Sequence, residues 1–420
     1  MRFDTLDAWL DWQQQLHPRA IDLGLERIAS VWRSLGAPRI AETVITVAGT
    51  NGKGSTVAAY EAWLGAHGLC CGSYTSPHIL RYNERIRIDG TAVEDERLIE
   101  AFDAIDQARG DTPLTYFEFG ALAALWLFAR ESLSHAILEV GLGGRLDAVN
   151  IIDADLAHIT PIGLDHQAWL GNDRETIGAE KAGILRPGQD VVYNDPQPVV
   201  SIVERAESLG CDLRLAGRDY SMRIVADGQH HWRGRDLACE YRSPLPGRHQ
   251  AWNLGGVFAG LEALGLLRDA GDCRGFEALH NPGRLQKLLE RPFALWVDVG
   301  HNEDAARVLA DFLRRNRPAG RVVLLLGMLE DKDPVRFLSL LREQIDDLWL
   351  LGLEGDRGLD AGALAGRLES EAEYPRFPSA AAALEHALST LNNQDILLAT
   401  GSFLTVEAVL RALDAVDLVS

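Results

Sequence analysis

The chain has 420 residues, of which 47% are hydrophobic and 24% charged, a composition typical of globular proteins and a length sufficient for two or three domains. Its formal net charge of −20 argues against a broad nucleic-acid or anionic-lipid surface, because either partner requires a basic face. No stretch reaches the ~18 uninterrupted apolar residues of a membrane span. We therefore expect a cytoplasmic protein with no nucleic-acid partner and no membrane partner.

The five cysteines stand at positions 70, 71, 211, 239 and 273. They form neither a Cys-x-x-Cys pair nor the paired spacing of a metal site. For a protein of the cytoplasm, this pattern predicts reduced thiols with mostly structural roles.

A phosphate-binding loop is predicted near the start of the chain. Residues 43–47 predict a buried strand, residues 49–54 a loop, and Ser55 onward a helix. Glycines let backbone N–H groups approach phosphate oxygens, the helix N-terminus adds partial positive charge, and Lys53 adds a full one. The pattern departs from the usual P-loop, because Val47 occupies its first Gly position and Gly54 separates Lys53 from Ser55. An ordinary glycine-rich turn is the alternative to a site for ATP with magnesium, which we favour.

Acidic residues mark two further positions. Thr115-Tyr-Phe-Glu118 fits a capping box with Thr115 as N-cap, and capping alone would account for Thr115 and Glu118. Glu139 interrupts a hydrophobic strand that begins at Ala136. A carboxylate inside a buried strand is costly unless it is paired or binds a cation, so the sequence favours a metal ligand at Glu139.

Two candidates follow the next predicted strand, at residues 156–160. His166 and Asp165 stand just beyond its C-terminal end, where open α/β sheets bind ligands. A lone His is more often a surface or core residue than a ligand, and its position makes the two interpretations comparable. Lys181 lies on a predicted helix over 176–184, where a solvated charge is the ordinary interpretation.

Alternating strands and helices predict an α/β fold with two domains. The first, residues 1–288, is a P-loop ATPase-like domain with a mostly parallel sheet and a small antiparallel excursion over 220–241. The second, residues 289–420, is a smaller Rossmann-like α/β domain. The boundary lies within 285–292, where a charged helix end meets a new strand. Strands of the second domain are predicted at 293–299, 321–326, 347–351, 374–377 and 395–399.

Nine segments in order along nearly the whole chain resemble one family, the folylpolyglutamate synthases and dihydrofolate synthases, relatives of the Mur ligases. The segments are Gly49-Thr-Asn-Gly-Lys-Gly-Ser55, Tyr74-Thr-Ser-Pro-His78, Leu138-Glu-Val-Gly-Leu-Gly-Gly-Arg-Leu-Asp147, Leu164-Asp-His166, Glu180-Lys-Ala-Gly183, Pro282-Gly-Arg-Leu285, Asp298-Val-Gly-His-Asn302, Gly327-Met-Leu-Glu-Asp-Lys-Asp333 and Gly401-Ser-Phe403. The resemblance implies a monomeric, ATP-dependent amide ligase. It would join L-glutamate to dihydropteroate and to tetrahydrofolate at one site, through an acyl phosphate.

The resemblance also implies roles for individual residues. Contacts to ATP are implied for Thr50, Asn51, Gly52, Lys53, Gly54, Ser55, Asn253, Arg284 and Asp298. Two Mg²⁺ ions are implied at Ser76, Glu139 and His166, and a carbamate formed from CO₂ is implied on Lys181. Contacts to the pterin are implied for Asp22, Leu23, Gly24, Leu25, Thr115, Tyr116, Phe117, Glu118 and Leu146. Catalytic roles are implied for Lys53, Glu139, His166 and Lys181.

The chain departs from many relatives at Gly300 and Glu303, where they have Ala and Pro, and this departure affects the expected nucleotide geometry. Three other functions are alternatives to this one. A Mur-type ligase acting on a muramyl carboxylate would need a separate domain ahead of the loop, and only 48 residues precede Gly49. A regulatory P-loop NTPase would hydrolyse ATP without a carboxylate acceptor, and it leaves Lys181 unexplained. A folylpolyglutamate synthase without the dihydrofolate synthase activity stays open.

Overall fold

The computed structural model describes residues 2–19, 21–226, 228–276, 279–355, 357–368 and 373–416. The chain forms two compact units, residues 1–244 with 250–280 and residues 245–249 with 281–420. Both units have α/β architecture, as the sequence predicts. None of the helices in the described part of the chain has both the length and the apolar character that crossing a membrane requires.

An eight-stranded sheet forms the centre of the first unit. Its strands are β1 (Thr43–Ala48), β2 (Cys71–Tyr74), β3 (Ile86–Ile88), β4 (Thr91–Ala92), β5 (His135–Glu139), β6 (Leu156–Ile159), β7 (Asp190–Tyr193) and β8 (Asp212–Leu215). Their order across the sheet is β4-β3-β2-β5-β1-β6-β7-β8. Pairing is parallel from β2 to β8 and antiparallel at β2–β3 and β3–β4. The carboxyl ends of β1, β2, β5 and β6 therefore meet at one edge of the sheet, where ligand sites are expected.

Helices cover this sheet, and most of them share one hydrophobic core with it. They are α1 (Leu6–Leu16), α2 (Glu26–Ser34), α3 (Lys53–Ala66), α4 (Asp95–Arg109), α5 (Tyr116–Phe128), α6 (Gln167–Leu170), α7 (Arg174–Lys181), α8 (Val200–Ser208) and α9 (His249–Ala263). Short 3₁₀ turns lie at Tyr82–Arg85, Ala148–Ile151, Ala182–Ile184 and Ala270–Cys273. Buried parallel strands need such helical cover, because both of their faces are apolar.

A three-stranded antiparallel sheet forms the excursion that the sequence predicts. Its strands are β9 (Ser221–Ala226), β10 (Gln229–Arg233) and β11 (Ala238–Arg242). Cys239 on β11 is disulfide-bonded to Cys273, with their Cα atoms 6.2 Å apart, whereas Cys70, Cys71 and Cys211 are free. The prediction of reduced thiols is therefore wrong for this pair. The two residues are 34 positions apart in sequence, and only the folded chain brings them together.

The second unit contains a six-stranded sheet. Its strands are β12 (Gln286–Leu289), β13 (Ala294–Asp298), β14 (Val322–Leu326), β15 (Asp347–Leu351), β16 (Arg376–Phe377) and β17 (Ile396–Thr400). Their order is β12-β13-β17-β14-β15-β16, and every pair is parallel except β12–β13. The flanking helices are α10 (Glu303–Arg315), α11 (Pro334–Leu341), α12 (Ala361–Arg367), α13 (Ala380–Thr390) and α14 (Phe403–Val416), with a 3₁₀ turn at Arg342–Gln344.

All five strands predicted for this unit are confirmed, and one prediction is wrong. Residues 285–292 were expected to hold a charged helix end, and the chain instead forms the edge strand β12. Edge strands tolerate polar residues such as Gln286 and Lys287, because one side of an edge strand has no neighbouring strand. The polar composition therefore resembles that of a helix end.

Candidate active site

The glycine-rich loop between β1 and α3 confirms the predicted strand–loop–helix. Gly49 has a φ of +146°, and a Cβ there would collide with Thr160. Gly52 is the N-cap of α3 with a φ of +93°, and a Cβ there would lie 2.7 Å from Asn253 Oδ1. Both positions require glycine, because the backbone angle and the close approach each disfavour a side chain. Asn253, predicted to contact the nucleotide, thus lies directly against the loop.

Two lysines reach the same carbonyl oxygen of this loop. Lys53 Nζ lies 3.2 Å from Gly49 O and 3.1 Å from Thr50 O. Lys181 Nζ, at the end of α7, lies 2.8 Å from Gly49 O. The hydroxyl of Thr50 in turn donates to Gly163 O and accepts from Gly163 N–H, which joins the loop to the segment after β6.

Lys181 is only 4% exposed, so the interpretation of this residue as a solvated charge is wrong. Burial, followed by repulsion from Lys53, lowers the pKa of Lys181 to about 7, although Asp165 and Asp147 act in the opposite direction. A substantial fraction of this amine is neutral near pH 7. Neutral amines are nucleophiles, and ammonium groups are not.

Asp147 is a buried carboxylate of the loop after β5 to which the sequence assigned no role. It accepts hydrogen bonds from the N–H groups of Gly141, Leu142 and Val149. Burial raises the pKa of Asp147 to about 6, while these bonds and the charge of Lys53 lower it. The carboxylate therefore organises the loop that follows Glu139. Its place in the family-like segment ending at 147 was the signal available in the sequence.

Two of the predicted metal ligands lie side by side. Glu139 ends β5 and is 5% exposed, and its Oε2 accepts a hydrogen bond of 3.2 Å from Ser76 N–H. Ser76 follows β2, the parallel neighbour of β5, so the sheet itself places the two residues together. A carboxylate and a hydroxyl are the oxygen donors that Mg²⁺ prefers. These residues fit such an ion.

His166 lies in a different loop, after β6. It is exposed, its φ is +50°, and its N–H donates to Asp165 Oδ1 at 2.8 Å. A positive φ is uncommon for a non-glycine residue and is found at functional sites. In the ranges that the structure describes, no group of three or more His, Cys, Asp or Glu side chains is arranged for a metal ion.

In the second unit, the structure brings together Arg284 and Asp298, the two residues of this unit that were predicted to contact the nucleotide. Asp298 ends β13 and is buried, and its carboxylate accepts hydrogen bonds from the N–H groups of Leu285 and Gly300. Burial raises the pKa of Asp298, and the nearby charge of Arg284 opposes that rise. A Cβ at Gly300 would lie 2.7 Å from Asp298 Oδ1, so the departure from the family at this position accompanies a tight turn around the carboxylate.

The predicted pterin residues are joined by one residue that sequence reasoning missed, Arg27. Its Nε donates to both carboxylate oxygens of Glu118 at 3.0 Å, and its Nη1 donates to Asp22 Oδ2 at 2.6 Å. The capping box is confirmed, since Thr115 accepts from Glu118 N–H and Glu118 accepts from Thr115 N–H. No local pattern marks Arg27, because Glu118 is 91 positions away.

Two of the other predicted pterin residues, Tyr116 and Phe117, lie in the first turn of α5. The ring of Phe117 lies 6.0 Å from that of Tyr74, and a Cβ at Gly141 would be 2.5 Å from Phe117. The Tyr116 ring lies 5.5 Å from the Arg85 guanidinium. The remaining four residues are half-buried: Leu23, Gly24, Leu25 and Leu146.

Comparison with known proteins assigns this architecture to a family. The model for the glutamate ligase domain of Mur ligases matches residues 283–403. The dihydrofolate synthase/folylpolyglutamate synthase of Escherichia coli (strain K12) is 41% identical over 412 residues, which cover 98% of this chain and 96% of the relative. The chain belongs to the dihydrofolate synthase/folylpolyglutamate synthase family. The predicted family, and the ligase class with it, are confirmed.

A more distant relative and two solved structures also match nearly the same length of this chain or most of it. The dihydrofolate synthase/folylpolyglutamate synthase of Mycobacterium tuberculosis is 34% identical over 377 residues, covering 82% of this chain and 77% of the relative. The structure of E. coli FolC in complex with DHPP and ADP matches with a TM-score of 0.93 at 40% identity, covering 99% of both chains. A family structure with Mn, AMPPNP and L-glutamate bound has a TM-score of 0.89 at 40% identity, covering 99% of this chain and 98% of that one.

Proposed function

We propose that this protein is an ATP-dependent ligase that adds L-glutamate both to dihydropteroate and to reduced folates such as tetrahydrofolate. The observation that carries the proposal is the pair of lysines, Lys53 and Lys181, on the Gly49 carbonyl of the glycine loop. Family membership supplies the reaction class. Relatives have been solved with DHPP and ADP, and with Mn, AMPPNP and L-glutamate. Adenine nucleotides, a divalent metal ion and L-glutamate are the kinds of ligand that such a ligase would bind.

The loop accounts for the first chemical step. Lys53 and the N-terminus of α3 supply positive charge for the phosphates of ATP, and residues 50–55 supply backbone N–H groups. Nucleotide contacts of Arg284 and Asp298 stay predictions. The acceptor carboxylate attacks the γ-phosphorus, ADP leaves, and an acyl phosphate forms. The amine of L-glutamate then attacks the acyl carbon, and phosphate leaves as the amide forms and the amine loses a proton.

Glu139 and the hydroxyl of Ser76 would hold one Mg²⁺ ion, and His166 a second. When bound, the ions would neutralise the charge that builds up on the phosphoryl oxygens. This assignment is supported by the buried carboxylate of Glu139 beside Ser76 and by the positive φ of His166. We thus propose that the site holds two metal ions and not one.

Lys181 would be carbamylated. Its neutral amine attacks CO₂, a C–N bond forms, and one proton is released, so that a cation becomes a carboxylate able to assist a metal ion. Burial of Lys181 and its pKa of about 7 support this step. The nearby charge of Asp165 links the site to the loop of His166.

The pterin would bind among residues 22–25, residues 115–118 and Leu146. The ion pairs of Arg27 support this placement, because they join the first of these segments to the start of α5. A single activity, elongation of folates alone, is the alternative, since the relative from Lacticaseibacillus casei, 30% identical over 416 residues, is named folylpolyglutamate synthase only. A cytoplasmic location and a monomeric state stay predictions.

Phosphate release tests the function. Purified protein receives MgATP and L-glutamate with dihydropteroate, with tetrahydrofolate, or with neither. We expect release with each pterin and none without, together with a product heavier by one glutamyl residue in the mass spectrum. Release with tetrahydrofolate only would reduce the function to folate elongation. Release that needs no acceptor would favour the regulatory NTPase.

A further inference from the structure

Gln250 connects two parts of the nucleotide loop region, although no sequence pattern assigned it a role. It lies at the start of α9, and its side chain is 1% exposed. Its Nε2 lies 3.4 Å from Ser55 Oγ, and its Oε1 accepts a hydrogen bond of 2.9 Å from Asn253 Nδ2. Both ends of the buried amide therefore form hydrogen bonds: the NH₂ group bonds to Ser55 of α3, and the oxygen bonds to Asn253 of α9.

These two bonds determine which atoms face the glycine loop. An amide has a donating end and an accepting end that cannot be exchanged without breaking the bonds at both. Because Asn253 Nδ2 donates to Gln250, Asn253 Oδ1 is directed at Gly52, where a Cβ would lie only 2.7 Å away. Ser55 Oγ receives the Nε2–H of Gln250, so its own proton is directed away from Gln250.

Burial makes this arrangement rigid. Ser55, Gln250 and Asn253 are all at most 3% exposed, so water cannot replace a lost partner at low cost. An unpartnered buried amide or hydroxyl is penalised, and the side chains are held in the orientation that satisfies all of them.

We propose that Gln250 is a positioning residue for nucleotide binding, which orients the hydroxyl of Ser55 and the amide of Asn253 toward the phosphates and nucleoside of MgATP. The inference rests on the proposed function, in which Ser55 and Asn253 contact ATP. In this proposal Gln250 acts through Ser55 and Asn253, to which its side chain is hydrogen-bonded. Replacing Gln250 should therefore weaken the binding of MgATP and leave the binding of L-glutamate and of the pterin acceptor unchanged.

The test is Gln250→Met, which keeps the length of the side chain and removes both hydrogen bonds. We expect KM for MgATP to rise about five- to tenfold, corresponding to the loss of one to two hydrogen bonds. KM for L-glutamate and KM for the pterin acceptor should stay within twofold of those of the unchanged protein. An unchanged KM for MgATP would overturn the proposal, as would an equal rise in all three KM values.

Two further variants separate positioning from packing. Leu261→Met on the same helix changes a fully buried residue whose side chain cannot form hydrogen bonds, so it should alter the melting temperature but no KM. Gln250→Glu keeps the shape of Gln250 but leaves Ser55 without its donor and adds negative charge, so KM for MgATP should rise further than in Gln250→Met. This variant supplies the answer if Gln250→Met does not fold.

A double-mutant cycle identifies the route of the effect. Ser55→Ala removes one of the two contacts through which Gln250 acts, so Gln250→Met should raise KM for MgATP by a smaller factor in Ser55→Ala than in the unchanged protein, whereas full multiplication of the two effects would contradict the inference. The unchanged protein is assayed first: without pterin-dependent phosphate release the proposed function itself fails. A failure confined to Gln250→Met leaves that function intact.

Discussion

At the scale of single residues, burial changes what a side chain can do. Lys181 has the sequence surroundings of a surface lysine, but in the fold its amine lies 2.8 Å from the Gly49 carbonyl, near the charge of Lys53. Both the loss of water and the repulsion from Lys53 stabilise the neutral amine. The neutral amine is the form that the proposed carbamylation requires, and an exposed lysine is mostly charged at pH 7.

This chemistry makes Lys181 sensitive to substitution and to pH. We expect Lys181→Ala to lose about 10²-fold or more in kcat, the scale of removing one electrostatic group from an active site. Formate or acetate should restore part of the rate, because either can occupy the place of the proposed carbamate.

Because the pKa of Lys181 falls from 10.5 to about 7, the amine is mostly neutral above pH 7, so activity should decline as pH drops through 7. Initial rates from pH 6 to 9, with and without added bicarbonate, measure this.

The matched control is Lys287→Ala, which removes an exposed lysine that pairs with Glu290 at the surface. Its rate and its response to bicarbonate should equal those of the unchanged protein. A Lys181→Ala variant with full activity in buffer free of CO₂ would contradict the carbamate.

At the scale of elements, the N-terminus of α5 shows how a local motif gains contacts with a distant segment of the chain. The capping box needs only Thr115 and Glu118, three positions apart, and it forms as predicted. The fold then adds Arg27, which binds the capping carboxylate and Asp22 at once. One guanidinium therefore holds the 22–25 segment against the helix end.

Removing this connection should weaken pterin binding selectively. We expect Arg27→Ala to raise KM for dihydropteroate about tenfold, equivalent to about 1.4 kcal/mol, while KM for MgATP changes little. Arg27→Lys should be intermediate, because an ammonium cannot reproduce the fork that contacts both acids. Steady-state kinetics with each substrate varied in turn supplies the measurement.

Arg97→Ala is the matched control, since it removes an arginine–glutamate ion pair of the same unit on partly exposed side chains. It should leave every KM unchanged. Equal KM values for dihydropteroate in Arg27→Ala and Arg97→Ala would refute the role of Arg27.

At the scale of the whole molecule, two α/β units form, and the first contains a covalent cross-link between Cys239 and Cys273. A cross-link stabilises a fold chiefly by restricting the unfolded chain. The bridge closes a segment of 34 positions, which includes α9 with Gln250 and Asn253.

We expect Cys273→Ser to lower the free energy of unfolding of the oxidised protein by about 4 kcal/mol, the value for a loop of this size. Denaturant unfolding with and without a reducing agent measures the change, and reduction should have the same effect on the unchanged protein. Cys211→Ser, at a free cysteine, serves as the control and should respond little. Titration of five reactive thiols in the unfolded, unreduced protein would show that no bridge forms.

The sequence by itself determined the features that depend on neighbours along the chain. The strand, loop and helix around Gly49, the capping box at Thr115, the antiparallel excursion and five strands of the second unit all follow from local periodicity, glycine and capping chemistry. The order of nine short segments was enough to identify the family. The predicted domain boundary at 288 and the roles of the individual site residues stay predictions.

Tertiary structure alone decided the contacts between distant residues. Lys181 reaches Gly49 across 132 positions, Arg27 reaches Glu118 across 91, Gln250 reaches Ser55 across 195, and Cys239 meets Cys273 across 34. The edge strand β12 likewise depends on its partner β13. The residues next to each of these positions along the chain do not identify such a distant partner, because burial, ion pairing and strand pairing arise only when the sheets and helices pack. For that reason, the sequence identified the loop and the family, whereas the fold revealed the buried amine, the bridging guanidinium and the buried amide.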